Sequence, residues 1–90
     1  MEYEFCIRLH EKLKSKLRGR VFCRVVDNIL NIVIENGDTK FEIKIDDFAR
    51  KVCFGMTTDV VSREVEKKYR RFLLNRMERY YFRQEEEAQF

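Results

Sequence analysis

Two adjacent aspartates are the residues in this sequence with the most potential for chemistry. Asp46 and Asp47 follow a predicted strand, and a pair of carboxylates there could bind a metal ion or act as general acid and base. No third acid or histidine lies at a spacing from them that is typical of a metal or catalytic site. The lone histidine, His10, lies beside Glu11 on a predicted helix. We interpret Asp46-Asp47 as a helix N-cap and His10 as structural or solvated. The sequence also has no glycine-rich phosphate loop, serine–histidine–aspartate set or nucleophile elbow, so we predict that the protein is not an enzyme.

The three cysteines do not follow a metal-binding pattern. Cys6, Cys23 and Cys53 are far apart, have apolar neighbours and form no CxxC pair. A structural zinc site needs four ligands at short local spacings. We therefore predict three reduced, mostly buried thiols in a reducing, cytoplasmic setting, with neither a metal nor a cofactor.

The last long helix predicted from the sequence carries a basic surface. Residues 63–83 hold eight basic and three acidic side chains, whereas residues 84–90 hold three acids and no base. Cations on one helix face can contact nucleic-acid phosphates, and Tyr80 and Tyr81 could stack on bases. The candidate nucleic-acid-binding residues are Arg63, Lys67, Arg70, Arg71 and Arg79.

A solvated face is the alternative interpretation of the same helix. Acids and bases three or four residues apart pair along a helix surface, and such pairs would neutralise part of the basic charge. The acidic segment at the end of the chain could shield the surface further. The acids concerned are Glu64, Glu66 and Glu78, and their partners include Lys68 and Arg70.

Residues 29–45 predict the β-hairpin on which the other elements depend. Apolar residues alternate along both halves, and Gly37-Asp38 between them suits a two-residue loop because glycine accepts the positive φ of tight hairpin turns. This loop places Ile34 opposite Phe41 on one face. It also places Glu35 opposite Lys40 on the other face, a favourable charge pair. Pattern, turn and charge therefore predict one register.

The remaining elements complete an α+β fold. We predict a helix over residues 2–18 ended by Gly19, a strand over 21–26 turned back by Asp27-Asn28, and a short helix over 48–54 ended by Gly55. A long helix starts at residues 57–59 and runs to about Phe82 or Arg83, and residues 84–90 form an acidic, frayed tail. The prediction is one two-layer domain over 1–83, with a three-stranded antiparallel meander and helices on one face, in the order α-β-β-β-α-α. The predicted buried sheet face comprises Val21, Cys23, Val25, Leu30, Ile32, Ile34, Phe41, Ile43 and Ile45, under Leu9, Leu13, Phe48, Val65, Phe72 and Leu73.

The opposite face of this sheet is too apolar to lie fully in water. The predicted register places Phe22 opposite Val33 and Val26 opposite Ile29. An exposed apolar cluster of this kind is typical of an interaction surface, so we predict contact with a protein partner or with a second copy in a homodimer. The alternative is that the C-terminal segment covers the cluster, with Phe90 folding back.

The stretch Ile43–Tyr69 resembles a pattern in small uncharacterised domains of low-GC Gram-positive bacteria. In that family a strand runs into an acidic pair and a phenylalanine, then a short helix, a glycine, a capping residue and an amphipathic helix. The resemblance covers roughly residues 1–75. It implies the fold, and it implies no activity and no catalytic residue. The matching positions are Asp46, Asp47, Phe48, Gly55 and Thr58.

The order α-β-β-β-α also resembles that of double-stranded RNA-binding domains. Those domains have a basic, glycine-containing cap at the start of the last helix, which reaches phosphates. Here residues 55–59 read Gly-Met-Thr-Thr-Asp, and Asp59 puts negative charge where a phosphate would lie. The sequence therefore disfavours this mode of RNA binding.

The 90 residues contain no apolar run near the 18 that a membrane span needs, and the acidic start lacks the order of a signal peptide. Together these features predict a non-catalytic, cytoplasmic binding or adaptor domain that acts by protein–protein interaction. The alternative is a nucleic-acid-binding module that uses the basic helix.

Overall fold

The predicted hairpin and the elements around it are present in the protein. The structure is a computed structural model that describes the backbone of residues 1–88 and the side chains of residues 1–77. It confirms the α+β fold class: one helix, three antiparallel strands in the order β1-β2-β3, then two helices. The elements are α1 (Glu2–Lys16), β1 (Arg20–Val26), β2 (Ile29–Asn36), β3 (Thr39–Ile45), α2 (Phe48–Cys53) and α3 (Thr58–Ala88).

Both turns of the meander set the register that the sequence predicts. Gly37, with φ of 62°, is the first residue of the two-residue loop between β2 and β3. Asp27 and Asn28 have φ of 51° and 61°, and positive φ at both loop positions suits the twist of the β1–β2 hairpin. The pairs Ile34 with Phe41 and Glu35 with Lys40 are confirmed, as are Phe22 with Val33 and Val26 with Ile29.

The core lies between the inner face of the sheet and the two long helices. Leu30, Ile32 and Ile34 of the central strand are at most 1% exposed, while the predicted inner residues of the edge strands are buried or half-buried against them. Leu9, Leu13, Phe48 and Val65 are buried as predicted, whereas Phe72 and Leu73 are half-buried; Phe5, Val61 and Tyr69 complete the core.

Helices α1 and α3 run side by side in the same direction. Lys12 pairs with Asp59, and one turn further along α1 and two turns further along α3, Lys16 Nζ lies 3.8 Å from Glu66 Oε2. Both pairs advance in the same sense along the two helices, so the helices are parallel. Their buried side chains share one core with β2, so α1 and α3 form one layer on the inner face of the sheet.

Helix α1 ends at Lys16, two residues before the predicted end, because the chain must turn sharply into β1. Leu17 is already extended, with φ of −120° and ψ of 144°. Gly19 has φ of +114°, and a Cβ there would overlap the carbonyl oxygen of Glu35. Glycine therefore permits a close approach between this connection and β2, in addition to ending the helix.

The cap of α2 differs from the prediction. Asp47 occupies the N-cap position with φ of 55°, and its side chain makes no cap hydrogen bond. The cap comes instead from Asn28 in the β1–β2 turn: its Oδ1 accepts from the Ala49 N–H at 2.8 Å and its carbonyl accepts from the Phe48 N–H at 2.9 Å. Asn28 Nδ2 also donates to Asp47 Oδ1 at 3.3 Å. The aspartate thus orients the cap rather than supplying it.

Helix α3 starts as predicted and ends later. Thr57 Oγ1 accepts from the Val60 N–H at 3.3 Å, which caps the first turn. The helix continues to Ala88, so the predicted end near Arg83 is corrected. Residues 84–88 are glutamine, glutamates and alanine, whose helix propensity favours continuation without an apolar pattern. The predicted return of Phe90 to the sheet concerns a residue outside the described part of the chain.

We predict that Ile32→Ala lowers the free energy of unfolding by about 2–5 kcal/mol, because it leaves a cavity in the core. The matched control is Ile29→Ala, on the same strand but on the half-buried outer face, with a loss below about 1.5 kcal/mol. Urea denaturation followed by circular dichroism measures both. Equal losses would contradict the assignment of the two faces.

Candidate functional site

The side of the sheet that faces away from α1 and α3 is the main candidate surface, which we call the outer sheet face. It forms an open groove of about 740 Å³ along the three strands. Phe22 and Val26 are 49% and 42% exposed there, and Ile29 and Val33 are half-buried. The structure therefore brings the four predicted interaction residues together on one accessible face.

The strand register arranges this face in rows that cross the sheet. Phe22 and Val33 form the first apolar row, which ends at Glu42 on β3, and Val26 and Ile29 form the second apolar row. Between them lies the cationic row, in which Arg24 pairs with Asn31 and Asn31 with Lys44. The predicted register, which the observed strand pairing confirms, already aligns these three polar side chains across the sheet.

The charges of the outer sheet face are distributed unevenly. Lys40 Nζ lies 3.4 Å from Glu42 Oε1, and Glu35 lies between Arg20 and Lys40 in the register, so these acids have basic neighbours. Among the side chains of residues 1–77, no carboxylate forms a salt bridge with Arg24 or Lys44.

Asn31, between these two cations, donates from Nδ2 to the Ile29 carbonyl at 2.9 Å. That contact uses one of its amide hydrogens within its own strand. The centre of the groove thus presents two cations. Apolar side chains lie on both sides of the cationic row along β1 and β2, whereas on β3 Lys44 lies two residues from both Glu42 and Asp46.

The predicted basic surface lies on the solvent side of α3, across the domain from the outer sheet face. Its predicted members before residue 78 line a groove of about 490 Å³ together with Leu74. Arg70 Nη2 lies 2.6 Å from Glu66 Oε1, and Lys68 Nζ lies 3.5 Å from Glu64 Oε1, so both of these predicted ion pairs are confirmed. The groove is lined by Arg63, Glu66, Lys67, Arg70, Arg71, Leu74 and Asn75.

Ion pairing therefore divides the candidate nucleic-acid-binding residues. Within the part of α3 whose side chains are described, Arg63, Lys67 and Arg71 form no salt bridge, whereas Arg70 does. Arg79 belongs to α3, but its side chain lies beyond the described ones, as do those of Tyr80 and Tyr81.

Two of the three thiols meet between α1 and β1. Burial raises the pKa of the Cys23 thiol well above its ordinary value, and the neighbouring Cys6 raises it further. Both cysteines are half-buried, whereas Cys53 is exposed, which corrects the prediction for that residue. The reason is that α2 turns only Phe48 and Val52 towards the core. Within the described residues, no group of three or more histidine, cysteine or acidic side chains is arranged to hold a metal ion.

None of the helices, over the residues that the structure describes, is both long enough and apolar enough to pass through a lipid bilayer. No protein-family model, curated protein or solved structure matches the chain. The resemblance to the domains of low-GC Gram-positive bacteria therefore stays a prediction.

We predict that a thiol-specific reagent at pH 8 modifies Cys53 at least about tenfold faster than Cys23, because thiolate is the reactive form and burial disfavours it. Mass spectrometry of timed, digested samples measures both rates. Cys53→Ser should remove the fast phase alone. Equal rates at Cys23 and Cys53 in the native protein would contradict the arrangement of α1 against β1.

Proposed function

We propose that this chain is a non-catalytic, cytoplasmic binding domain that acts by protein–protein interaction through its outer sheet face. The observation that supports this proposal is that Phe22 and Val26 are almost half exposed in an open groove, beside Ile29 and Val33. Covering apolar surface of this kind contributes roughly 25 cal/mol per Å² removed from water. The partner is another protein or a second copy of the chain.

The environments of the reactive side chains support a role without catalysis. Asp47 accepts from Asn28 Nδ2, and its Oδ2 lies 3.8 Å from Arg50 Nη1, which gives this carboxylate a structural task at the start of α2. Burial and Cys6 keep the Cys23 thiol protonated. The free thiols of Cys6, Cys23 and Cys53 suit a reducing compartment such as the cytoplasm.

Site-specific photo-crosslinking in the cells that encode the protein tests this proposal. A photoreactive phenylalanine analogue at Val26, in the second apolar row, should give protein adducts. The same analogue at Glu11, exposed on α1, is the matched control and should give few. Phe22→Glu should abolish the Val26 adducts while circular dichroism stays unchanged. Adducts of equal yield at both positions, or none at Val26, would refute the proposal.

Nucleic-acid binding by α3 is the second candidate function. It is favoured by Arg63, Lys67 and Arg71, which recur every fourth residue and form no salt bridge with the described carboxylates. A rise of 1.5 Å per residue puts neighbouring members about 6 Å apart along the helix, so the three can follow one phosphate backbone.

We expect any such binding to weaken steeply with salt, and Arg71→Gln to lower the slope of log K against log salt by about one. Lys68→Gln is the control, because Glu64 already pairs with Lys68, and it should change the slope less. Fluorescence anisotropy with generic DNA and RNA oligonucleotides measures the slopes. If no binding is measurable at low salt, this second function is excluded.

A further inference from the structure

We infer that the outer sheet face binds a segment of another protein that presents one carboxylate between two apolar side chains. This inference rests on the proposed function and adds the chemistry of the partner. It follows from the order of the rows: Phe22 and Val33 with Glu42 at the β3 edge, then Arg24, Asn31 and Lys44, then Val26 and Ile29.

The cationic row is arranged to receive a carboxylate. Neighbouring strands lie about 4.8 Å apart, so the backbones of Arg24 and Lys44 are separated by roughly 10 Å, with Asn31 between them. Both side chains are long enough to converge above Asn31. Arginine adds a planar fork that matches the geometry of a carboxylate. An acidic side chain bound here would also neutralise two cations that no described carboxylate pairs with.

The spacing of the rows sets the spacing of the partner's side chains. Consecutive rows are two residues apart along each strand, or about 6.7 Å. An extended segment would place an apolar residue, an acid and an apolar residue at every second position. A helix would place them at every fourth position, with a rise of about 6 Å per step. Both forms present the same three side chains to the groove.

A second copy of the chain fits this surface poorly. Because the cationic row lies between the apolar rows, a two-fold arrangement that stacks apolar rows on each other also stacks the cationic row on its own copy.

Nucleic acid also fits poorly. Glu35 and Glu42 lie on the same face, and Asp27 lines the end of the groove beyond the second apolar row. A phosphate backbone that follows the groove would meet all three acids, whereas a single carboxylate can lie in the cationic row, which contains none of them. Phe22 is the one aromatic ring in the groove lining, and the other apolar side chains are aliphatic. Stacking on successive bases needs several rings.

The test uses the full chain labelled with ¹⁵N and two pairs of synthetic peptides. One pair is an extended heptapeptide, Ser-Ile-Ser-Glu-Ser-Ile-Ser, and the same peptide with glutamine for glutamate. The other pair is an alanine-rich helical peptide with isoleucine, glutamate and isoleucine at every fourth position, and its glutamine counterpart. We expect at least one glutamate peptide to shift amide signals within residues 22–33 and to bind about tenfold more tightly than its glutamine partner.

Variants of the protein separate the carboxylate contact from the apolar contacts. Arg24→Gln and Lys44→Gln should each weaken binding of the glutamate peptide three- to tenfold and leave the glutamine peptide unchanged. Lys14→Gln, exposed on α1, is the matched control and should change neither. Phe22→Ser should weaken both peptides.

The outcomes that overturn the inference differ from those that overturn the proposed function. Equal binding of glutamate and glutamine peptides, or no binding of either form while Val26 still yields protein adducts, refutes the carboxylate and leaves the binding domain standing. Light scattering that shows a dimer dissociated by Phe22→Glu assigns the face to a second copy. An oligonucleotide that shifts the same amides assigns it to nucleic acid. If the Val26 adducts are absent while the glutamate peptide still binds more tightly than the glutamine peptide, the result counts against the proposed function and not against the carboxylate contact.

Discussion

The register of the central strand is the constraint on which the whole domain depends. Side chains along β2 alternate between the core and the outer sheet face, and Leu30, Ile32 and Ile34 are the ones that α1 and α3 bury. A slip of one residue against either neighbour would exchange the two faces. The loop at Gly37-Asp38 fixes the register on one side and the turn at Asp27-Asn28 fixes it on the other.

A three-stranded sheet with one layer of helices leaves one face uncovered by those helices. In this chain both long helices are needed on the inner face, since Leu9, Leu13 and Val65 complete the core there. The outer sheet face keeps apolar side chains at Phe22 and Val26, which are 49% and 42% exposed. The proposed protein partner would cover the part of these side chains that the fold leaves in water.

Sequence alone predicts the features that depend on neighbours along the chain. Alternation and turn residues are enough for the strands, their pairing and the quartet on the outer sheet face. The cap of α2 was not predicted because the N–H groups of Phe48 and Ala49 donate to Asn28, which is 21 residues away from Ala49 in the sequence. The end of α1 was misplaced because Gly19 is required by the approach of the Glu35 carbonyl, a contact that forms only in the folded chain. The end of α3 was misplaced because helix propensity continues where the apolar period stops.

The same nonlocal cap links the candidate site to the core. Asn28 lies in the turn between Val26 and Ile29, the two members of the second apolar row, and its hydrogen bonds hold the first turn of α2. That turn begins with Phe48, which is 1% exposed and packs edge-on against Phe5 at 5.0 Å between ring centroids. The outer sheet face is therefore held in place by the core at the Asp27-Asn28 turn, and along its length by the hydrogen bonds of the β1–β2 and β2–β3 pairs. A surface held in this way loses little conformational entropy when a partner binds, so a small contact area can still support specific recognition.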